Sequence, residues 1–557
     1  MATLLAITVF LPLIGALALV LAPGLDRGAA RKIALGVTLT TFGACLALLA
    51  GFEPAVTSPQ FAAISEAAGG RTLYGWGWLS RPDVRFALGL DGISIWLFVL
   101  TGLLMITAVL SSWESIKERA PLYYAFLLAL ETGLLGLFGA LDVVLFYIFF
   151  EFTLIPLFFL IGLWGGPERQ RASVYFFLYT LAGSLLTLLG VISLVIVHMQ
   201  YSPNHVLTFS IPELTHGLAT LPWPEWYKVD SWASPQVLIF LLLLAGFAVK
   251  VPLFPFHTWL PLAHVEAPTA GSIVLAGVLL KVGSYGLIRF NMAMTPLGAS
   301  ALFPLLATMC VVGIIYGALA ALAQTDMKRL VAYSSVSHMG FIVLGMLAMN
   351  DAGLNGSIIQ MVNHGLTTGA LFACVGVLYD RYHTREMNAI GGVWNRFPLL
   401  AFFFIFSSMG AAALPGLNGF VGEFPILAGM FAESWKTASL ATLGMILGAF
   451  YLLLMIRRVI FGPLVEPVAH GEHGDDHGHG HADVPPMGWY EIAGLTPLAV
   501  LILYIGIFPE PFFARIRPAA EVVTQIGRQE REVGEKALAA TVPPAAPALT
   551  MRTTEPR

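Results

Sequence analysis

The sequence has little charge for its length. Only 11% of its 557 residues are Asp, Glu, Lys or Arg, whereas 57% are hydrophobic, and the mean hydropathy is +0.80. A soluble domain of comparable size carries about a quarter charged residues. Lipid rather than water is therefore the expected solvent of this chain. The net charge of −4 is small and gives no indication of a nucleic-acid partner.

Cysteine is nearly absent as well. Cys45, Cys310 and Cys374 all lie in apolar stretches, at spacings that suit neither a metal site nor a disulfide, so we interpret each as a small core residue. The sequence contains no C-x-x-C pair, no G-x-G-x-x-G turn between a strand and a helix, and no P-loop. Iron–sulfur, dinucleotide and ATP sites are therefore not expected, and we predict neither a cofactor nor a metal in this chain.

Long apolar runs fill most of the sequence, and a bilayer crossing needs about 20 mostly apolar residues. Fourteen runs meet this requirement, at 3–22, 32–51, 92–111, 121–140, 142–163, 173–199, 236–258, 268–290, 302–323, 329–349, 355–379, 397–432, 438–460 and 489–509. The twelfth is interrupted by Pro415, Gly416 and Gly419. No basic residue precedes the first run, so we expect a retained helix rather than a secretory signal. The sequence predicts an all-α polytopic membrane protein with about 14 transmembrane helices.

The distribution of Lys and Arg over the loops predicts an orientation. Loops that leave odd-numbered spans hold fourteen of these residues, and loops that leave even-numbered spans hold six. Cytoplasmic loops carry the excess of positive charge in membrane proteins. We therefore expect the odd-numbered loops in the cytoplasm and both termini in the periplasm, although the tail, with seven basic residues, does not follow this rule.

The spans and loops divide the chain into six parts. These are spans 1–3 (1–111), a first five-helix unit (121–290), a second five-helix unit (302–460), a His-rich loop (461–488), the last span (489–512) and a soluble tail (513–557). The tail is predicted to form a short surface helix at 513–538, followed by a disordered Pro/Ala-rich end. The loop contains His470, His473, His477, His479 and His481. We interpret it as flexible and solvated, with metal binding or proton collection as alternatives.

Six ionisable side chains lie inside the predicted spans at a similar depth. A charge at the centre of a membrane helix costs about 2.5–3.5 kcal/mol on insertion scales, so it needs a reason. The six are Glu151 in the fifth span, Lys250 in the seventh, Lys281 in the eighth, His338 in the tenth, His364 in the eleventh and Glu423 in the twelfth. At a rise of about 1.5 Å per residue, all six fall near the bilayer midplane. They predict a row that runs parallel to the membrane.

Prolines interrupt the helix that carries Lys250, in the stretch LLLLAGFAVKVPLFPFHTWLP. Proline frees an upstream carbonyl, and such groups are tolerated at this depth only inside protein or against water. We therefore expect a hydrated internal cavity at Lys250, with Glu151 as the carboxylate whose distance controls proton binding by the lysine. Lys250 and Glu423 both occupy the fourth helix of a five-helix unit. This arrangement predicts two inverted repeats, spans 4–8 and 9–13, with helices 7 and 12 discontinuous.

Four stretches of the sequence carry a resemblance to a known family. They are AGFAVKVPLFPFHTWLPLAHVEAPTAGS, FYIFFEFTLIPLFFLIGLWGG, QTDMKRLVAYSSVSHMGF and LPGLNGFVGEF. They resemble the antiporter-like membrane subunits of respiratory complex I, a family related to Mrp-type sodium/proton antiporters, over about residues 90–510. Within this family the sequence is most similar to subunit M of bacterial NADH:quinone oxidoreductase, the counterpart of mitochondrial chain 4. Subunits L and N usually carry lysine at the position of Glu423.

The resemblance implies a role for each of the six residues. Glu151 and Lys250 would be the pair on the fifth and seventh helices, Lys281 the central lysine, His338 and His364 the relay, and Glu423 the exit-side carboxylate. It implies a proton-translocating subunit of the bacterial inner membrane, beside L-like and N-like subunits and lipids. NADH oxidation by quinone would take place elsewhere in the complex, and this chain would hold no cofactor.

Two other functions stay open from the sequence. One is a Mrp-type antiporter subunit without redox coupling, and the other is a membrane scaffold whose charges only fasten helices together. For His257 and His264, structural and functional roles are equally open, because a buried histidine is often hydrogen-bonded to the backbone. Glu131 and Asp142 are assigned no role, because they are expected near span ends or against unknown neighbours.

Overall fold

The structure is a computed structural model that describes residues 1–66, 72–80, 82–202, 205–220, 234–467 and 484–541. Its helices are α1 (Ala2–Leu21), α2 (Arg27–Ala50), α3 (Ser94–Ser111), α4 (Ala120–Gly139), α5 (Val143–Phe152), α6 (Leu154–Trp164), α7 (Arg169–Tyr201), α8 (Ile211–Thr220), α9 (Pro235–Lys250), α10 (Trp259–Glu266), α11 (Thr269–Val274), α12 (Leu280–Gly286), α13 (Pro296–Ala301), α14 (Phe303–Leu322), α15 (Met327–Leu347), α16 (Asp351–Tyr382), α17 (Val393–Arg396), α18 (Pro398–Ala411), α19 (Asn418–Glu433), α20 (Trp435–Val459), α21 (Trp489–Ile507) and α22 (Glu510–Thr541).

Twelve helical segments of the described residues are long and apolar enough to cross a membrane. α5 and α6 together count as one of them. The segment Thr269–Met292 is another, and in it π-helical turns at Leu275–Leu279 and Leu287–Met292 flank α12. Each of the twelve overlaps a predicted run. In place of the seventh and twelfth predicted runs the structure has pairs of shorter helices, α9 with α10 and α18 with α19, of which α10 begins one residue past the seventh run.

Both of these pairs are separated where the sequence holds helix-breaking residues. α9 ends at Lys250, so this lysine lies at the end of a helix and not in its middle, and α10 begins only after Pro252 and Pro255. α18 and α19 are separated by residues 412–417, in which Gly416 has φ of +91°. Glycine adopts this left-handed conformation without the steric penalty of a side chain.

Side-chain caps fix the starts of three of the helices that carry predicted site residues, α5, α15 and α16. Asp142 accepts the backbone N–H of Val144 at 2.8 Å and thereby begins α5. Asp326 accepts from the N–H of Arg329 at 2.9 Å and begins α15, and Asn350 begins α16 in the same way. Such caps satisfy backbone donors that have no partner within the helix.

The prediction of an all-α protein is wrong for the segment between α2 and α3. Four short strands lie there, β1 (Ile64–Glu66), β2 (Thr72–Tyr74), β3 (Trp76–Ser80) and β4 (Asp83–Phe86). They form two antiparallel hairpins, in which Ile64 pairs with Tyr74 and Trp76 pairs with Phe86. Gly75, at φ +77°, connects the hairpins. Strands of three to five residues have too few alternating positions to be distinguished from a loop in the sequence.

The loops lie at two faces of the bundle. Loops that follow an odd-numbered predicted span lie at one face, which we call the odd face, and loops that follow an even-numbered span lie at the other, the even face. At the odd face, where odd-numbered spans end, Lys328 donates to the Ala267 carbonyl at 2.5 Å. At the even face, Arg528 of α22 forms an ion pair with Asp351 at 3.0 Å. α22 covers the segment predicted as a surface helix. The five histidines of the His-rich loop and residues 542–557 lie outside the described residues.

The centre of the bundle consists of α15, α16 and the segment Thr269–Met292, whose side chains are almost all buried. The outer helices α1, α20 and α21 instead expose large apolar side chains such as Ile14, Ile446 and Val500. A lipid solvent favours this outward apolar surface. Three of the six predicted site residues therefore lie on the innermost helices.

Candidate functional site

Glu151 lies near the end of α5, on a partly exposed side of the bundle. Its side chain is half-buried, and its Oε1 is enclosed with no hydrogen-bond partner in the described ranges. Ile148 and Ile155, three and four residues away on the same side, are 41% and 49% exposed. A carboxylate beside lipid is energetically unfavourable. This side of the chain is therefore suited to contact with a protein partner.

Lys250, the last residue of α9, reaches α5 beside Glu151. Its Nζ donates to the Phe150 carbonyl at 3.0 Å and lies 3.5 Å from the centroid of the Phe150 ring. Lys250 and Glu151 interact electrostatically, but no ion pair or hydrogen bond joins them in the described part of the chain. The two residues are neighbours, and the lysine is held by the backbone next to the carboxylate.

Protein groups satisfy carbonyls that the end of α9 leaves free. The N–H of Leu253 donates to the Ala248 carbonyl at 2.9 Å, and the indole N–H of Trp259 donates to the Val249 carbonyl at 2.9 Å. Buried backbone groups need a partner, which can be protein or water. Since these two carbonyls have protein partners, they do not require the hydrated cavity that the prolines led us to expect.

Lys281 lies on α12, fully buried at the centre of the bundle. Its Nζ is hydrogen-bonded to the Ala276 carbonyl, which belongs to the π-helical turn before α12, and lies 2.6 Å from His364 Nδ1. His364 Nε2 is buried and has no hydrogen-bond partner within the described part of the chain. Lysine and histidine thus share a direct contact through which a proton can pass, and the second histidine nitrogen remains able to pass it on.

His338 extends this connection to Glu423. His338 Nδ1 lies 2.8 Å from Glu423 Oε1, and both side chains are buried. The ring centroids of His338 and His364 are 5.7 Å apart, a separation that one bridging water would span. Glu423 also accepts a hydrogen bond from Gln360 at 3.1 Å, and the Tyr451 hydroxyl lies 3.4 Å from His338 Nε2.

The six predicted residues therefore fall into two groups. Lys281, His364, His338 and Glu423 form one connected set, which we call the central chain. Lys250 and Glu151 form a second group, and within the described residues no hydrogen bond or ion pair joins Lys250 to Lys281. The continuity of the predicted row between α9 and α12 stays a prediction.

Sequence reasoning missed the amide side chains around Glu423. Gln360 and Asn363 precede His364 on α16, and Asn363 donates to the Asn418 carbonyl at the start of α19 at 2.7 Å. Residues four apart share one face of a helix. The stretch QMVNHG, in which Gln360 and His364 are four apart inside an apolar helix, is the signal that identifies them.

Of the two positions expected for Glu131, near a span end or against unknown neighbours, the structure excludes the first, because Glu131 lies deep in the bundle. It is close to the middle of the 20 residues of α4, fully buried, and neither of its carboxylate oxygens has a hydrogen-bond partner among the described residues. Cys45 of α2 is near enough to interact with it electrostatically. Asp142 lies at the even face, at the start of α5.

A cavity of about 690 Å³ opens at the odd face. Glu266, Lys328 and Asp380 are among the residues that line it. His264 is fully buried and interacts electrostatically with both Lys328 and Lys281. The cavity therefore provides a polar approach toward the central chain.

The remaining histidine and cysteine side chains are packed in the interior. His257 stacks on Phe254 at 5.6 Å between ring centroids, and Cys45, Cys310 and Cys374 are free and buried, as the sequence predicts. Over the residues that the structure describes, no group of three or more His, Cys, Asp or Glu residues has the arrangement of a metal site.

Buried acidic, basic and histidine side chains, connected through the centre of a bundle with broken helices, define an integral membrane protein of the transporter type. The sequence profile described as NADH:quinone oxidoreductase/Mrp antiporter, transmembrane region, matches residues 140–448. The chain belongs to this family of antiporter-like membrane subunits.

Comparisons with individual proteins show which members of this family the chain is similar to. The chain is 42% identical to NADH-quinone oxidoreductase subunit M of Rhodobacter capsulatus over 94% of this chain and 97% of that protein. A chain of respiratory complex I from Thermus thermophilus matches with a TM-score of 0.77 at 30% identity, covering 94% of this chain and 99% of that one. A chain of the Mrp complex from Dietzia sp. has the same fold, with a TM-score of 0.76 at 21% identity and coverage of 96% and 100%. The similarity to subunit M expected from the sequence is confirmed.

Proposed function

We propose that this chain is the M-type, proton-translocating membrane subunit of an NADH:quinone oxidoreductase. The observation that carries the proposal is the central chain, in which an amine, two imidazoles and a carboxylate meet inside the bundle. The 42% identity to a subunit M supports the coupling to NADH oxidation by quinone. The redox chemistry would take place in other subunits, because this chain is expected to hold no cofactor.

In the central chain each group has a chemically distinct task. Lys281 would release a proton to His364 Nδ1 across their 2.6 Å contact, and the imidazole would release another from its unpartnered Nε2. A water between the histidine rings would carry the proton to His338, which delivers it to Glu423 across 2.8 Å. Histidine suits this relay because it accepts a proton at one nitrogen and releases one at the other.

Lys250 and Glu151 would control the timing of this transfer. A carboxylate that approaches an ammonium group stabilises its charge, and one that withdraws favours release of the proton. Lys250 is held by the Phe150 carbonyl one residue from Glu151, so a small movement of the carboxylate changes its distance to the lysine. The pair would therefore convert a displacement of α5 into loading or unloading of a proton.

The proposed arrangement in the membrane comprises fourteen crossings, with inverted five-helix units at 121–290 and 302–460. The odd face would lie in the cytoplasm of a bacterial cell and take up protons through the 690 Å³ cavity. The even face and both termini would lie in the periplasm. The exposed surface beside Glu151 supports a neighbouring L-like or N-like subunit there, since it would cover Ile148 and Ile155, and lipids would cover the outer helices.

Two other functions are less well supported. A Mrp-type antiporter subunit would share the fold, but the Mrp chain is only 21% identical to this one, against 42% for subunit M. A scaffold would need charges that are each fixed by a private partner. The contact between Lys281 and His364, with His364 Nε2 left without a partner, favours transfer instead.

Purification of the native assembly through a tag on this chain separates the three functions. We expect flavin and iron–sulfur proteins to copurify, and we expect vesicles with the assembly to pump protons when NADH and quinone are supplied. The variants Lys250→Ala and Glu151→Ala should assemble and lose most of the quinone reductase activity and pumping. Lys436→Ala changes an exposed lysine outside both groups and is the matched control.

Each alternative predicts a different outcome of this experiment. An antiporter subunit would purify without redox partners. A scaffold would show normal pumping in every variant that assembles, with any defect confined to assembly. Full pumping in an assembled Lys250→Ala complex would refute the proposed role of the lysine.

A further inference from the structure

A second cavity, of about 440 Å³, lies at the even face between α8, α22 and the loop at residues 57–59. Three polar side chains from the interior line it, Asp91, Tyr285 and Arg289. We call these three residues the even-face cluster. None of the functions assigned above uses them.

Arg289 and Asp91 form a largely buried ion pair, with side chains 18% and 10% exposed. Asp91 is fixed in place, because its Oδ1 accepts the backbone N–H groups of Ile93 and Ser94 at 3.0 Å each, at the start of α3. Removing one member of such a pair leaves an uncompensated charge, so the pair resists separation. The guanidinium is thereby held at one point of the cavity wall.

The cluster lies directly on the helix that carries Lys281. Tyr285 follows Lys281 by four residues within α12, so the two side chains project from the same face about 6 Å apart. Arg289 lies four residues further on, with its guanidinium carbon 5.1 Å from the centroid of the Tyr285 ring. The Tyr285 hydroxyl lies 3.5 Å from the Phe138 carbonyl. The cavity therefore approaches the central lysine to within two helical turns.

We propose that the Arg289–Asp91 pair is an electrostatic seal that keeps protons of the even face from reaching Lys281. A fixed cation in the wall of the cavity repels a proton that approaches from the even face, as arginine does in water channels that exclude protons. The seal rests on the proposed function, because a leak to Lys281 would dissipate the gradient that the central chain produces. Tyr285 separates the cation from the lysine, and Asp91 holds the cation in place.

Variants of the two charged residues, in the whole complex reconstituted into vesicles, test the seal. Arg289→Gln removes the cation and leaves an unpaired acid in the cavity wall, so passive proton conductance without NADH should rise roughly tenfold, the factor for a charge about 10 Å away at an effective dielectric constant near 20. Protons moved per NADH oxidised should fall accordingly. Asp91→Asn removes the charge of the partner but keeps the cation and a side-chain oxygen that can hold it in place, and Arg289→Lys keeps a cation, so neither should leak.

The contrast between these variants distinguishes a seal from a structural ion pair. Equal leakage in Arg289→Gln and Asp91→Asn would overturn the proposal, and so would wild-type conductance in an assembled Arg289→Gln complex. If Arg289→Gln does not assemble, Arg289→Met, with an unbranched side chain, repeats the test, and leakage in Asp91→Asn alone still refutes the seal. Arg85→Gln, which breaks the 3.1 Å pair with Asp83 at the same face, is the matched control. Failure of the proposed function itself would appear separately, as absent pumping in the wild type.

Discussion

Lys281 and Glu423, at the two ends of the central chain, have unlike partners. The ammonium group of Lys281 contacts a backbone carbonyl and a histidine nitrogen, neither of which carries a negative charge. The carboxylate of Glu423 contacts His338 and accepts from the amide of Gln360. A protonated histidine is a favourable partner for a carboxylate. The lysine end of the central chain therefore supplies hydrogen-bond acceptors without a negative charge, whereas the glutamate end supplies a carboxylate that accepts from its neighbours.

The buried side chain of Glu131 leads to a prediction about the thermal stability of the protein. Its buried carboxyl group has no hydrogen-bond partner among the residues that the structure describes, and such a group costs about 1–3 kcal/mol. We expect Glu131→Leu to raise the thermal unfolding temperature of the purified complex, with pumping unchanged. Glu118→Leu, at an exposed glutamate, is the control and should not stabilise. Reduced pumping in assembled Glu131→Leu would instead place Glu131 among the proton-carrying groups.

The ionisable residues of the site could be predicted from the sequence, whereas their neutral partners could not. Lys250, Lys281 and Glu423 are conspicuous because a charge is rare inside an apolar run. Gln360 and Tyr451 are common in membrane helices and acquire a role only from the helix that faces them. Contacts between different helices are not encoded in any single stretch of sequence.

At the scale of elements, the ends of helices could be predicted from the sequence, whereas irregularities inside them could not. The interruptions after Lys250 and before Asn418 follow from proline and glycine, which act locally. The π-helical turns on either side of α12 have no such local signal, and the hairpins at 64–86 are too short for one. Local chemistry thus determines where a helix ends, whereas packing determines its internal irregularities.

Asp142, which caps α5 outside the membrane-spanning segment, gives a prediction about pH. Burial raises the pKa of its carboxyl group from 3.8 to about 6, against the effect of the hydrogen bonds from Arg85, Leu145 and Val144. The pKa of Asp142 is higher in the folded than in the unfolded protein. The free energy of unfolding therefore falls progressively as the pH rises from about 4 to about 6, and it stays at the lower value above that range. Asp142→Asn keeps a capping oxygen without the charge.

The thermal unfolding temperature of Asp142→Asn minus that of the wild type should therefore increase from pH 4 to pH 6 and then level off. Differential scanning fluorimetry of the detergent-solubilised complex measures this difference. Glu53→Gln, at an exposed acid of the same face, serves as the control. A difference that is constant with pH would show that the cap, and not its ionisation, dominates.

For the whole molecule, the order of spans could be predicted, but their neighbours could not. Apolar runs indicate which segments are long enough to cross, because each must traverse the same thickness of lipid. The sequence does not indicate that α22 returns to the even face and packs near the start of α3, where Phe512 stacks on Trp96 at 4.2 Å. Such long-range packing depends on surfaces that exist only after the bundle forms.

Removal of α22 tests its contribution to the whole bundle. Phe512, Ile516 and Val523 are buried against other helices, and each buried apolar side chain contributes about 1.5–3 kcal/mol. A chain that ends at Pro509 should therefore unfold at a lower temperature and enter the complex in smaller amounts, measured by fluorimetry and by quantitative blotting. A chain that ends at Thr541 should behave like the wild type. Equal stability of the two truncations would mean that α22 is dispensable.

The two π-helical turns around α12 have a mechanical consequence. A π-turn accommodates one surplus residue, which rotates everything after it by about 100° about the helix axis relative to an uninterrupted α-helix. The first turn therefore sets the direction in which Lys281 leaves α12, toward His364 at 2.6 Å. Without that surplus residue the amine would face a different part of the bundle.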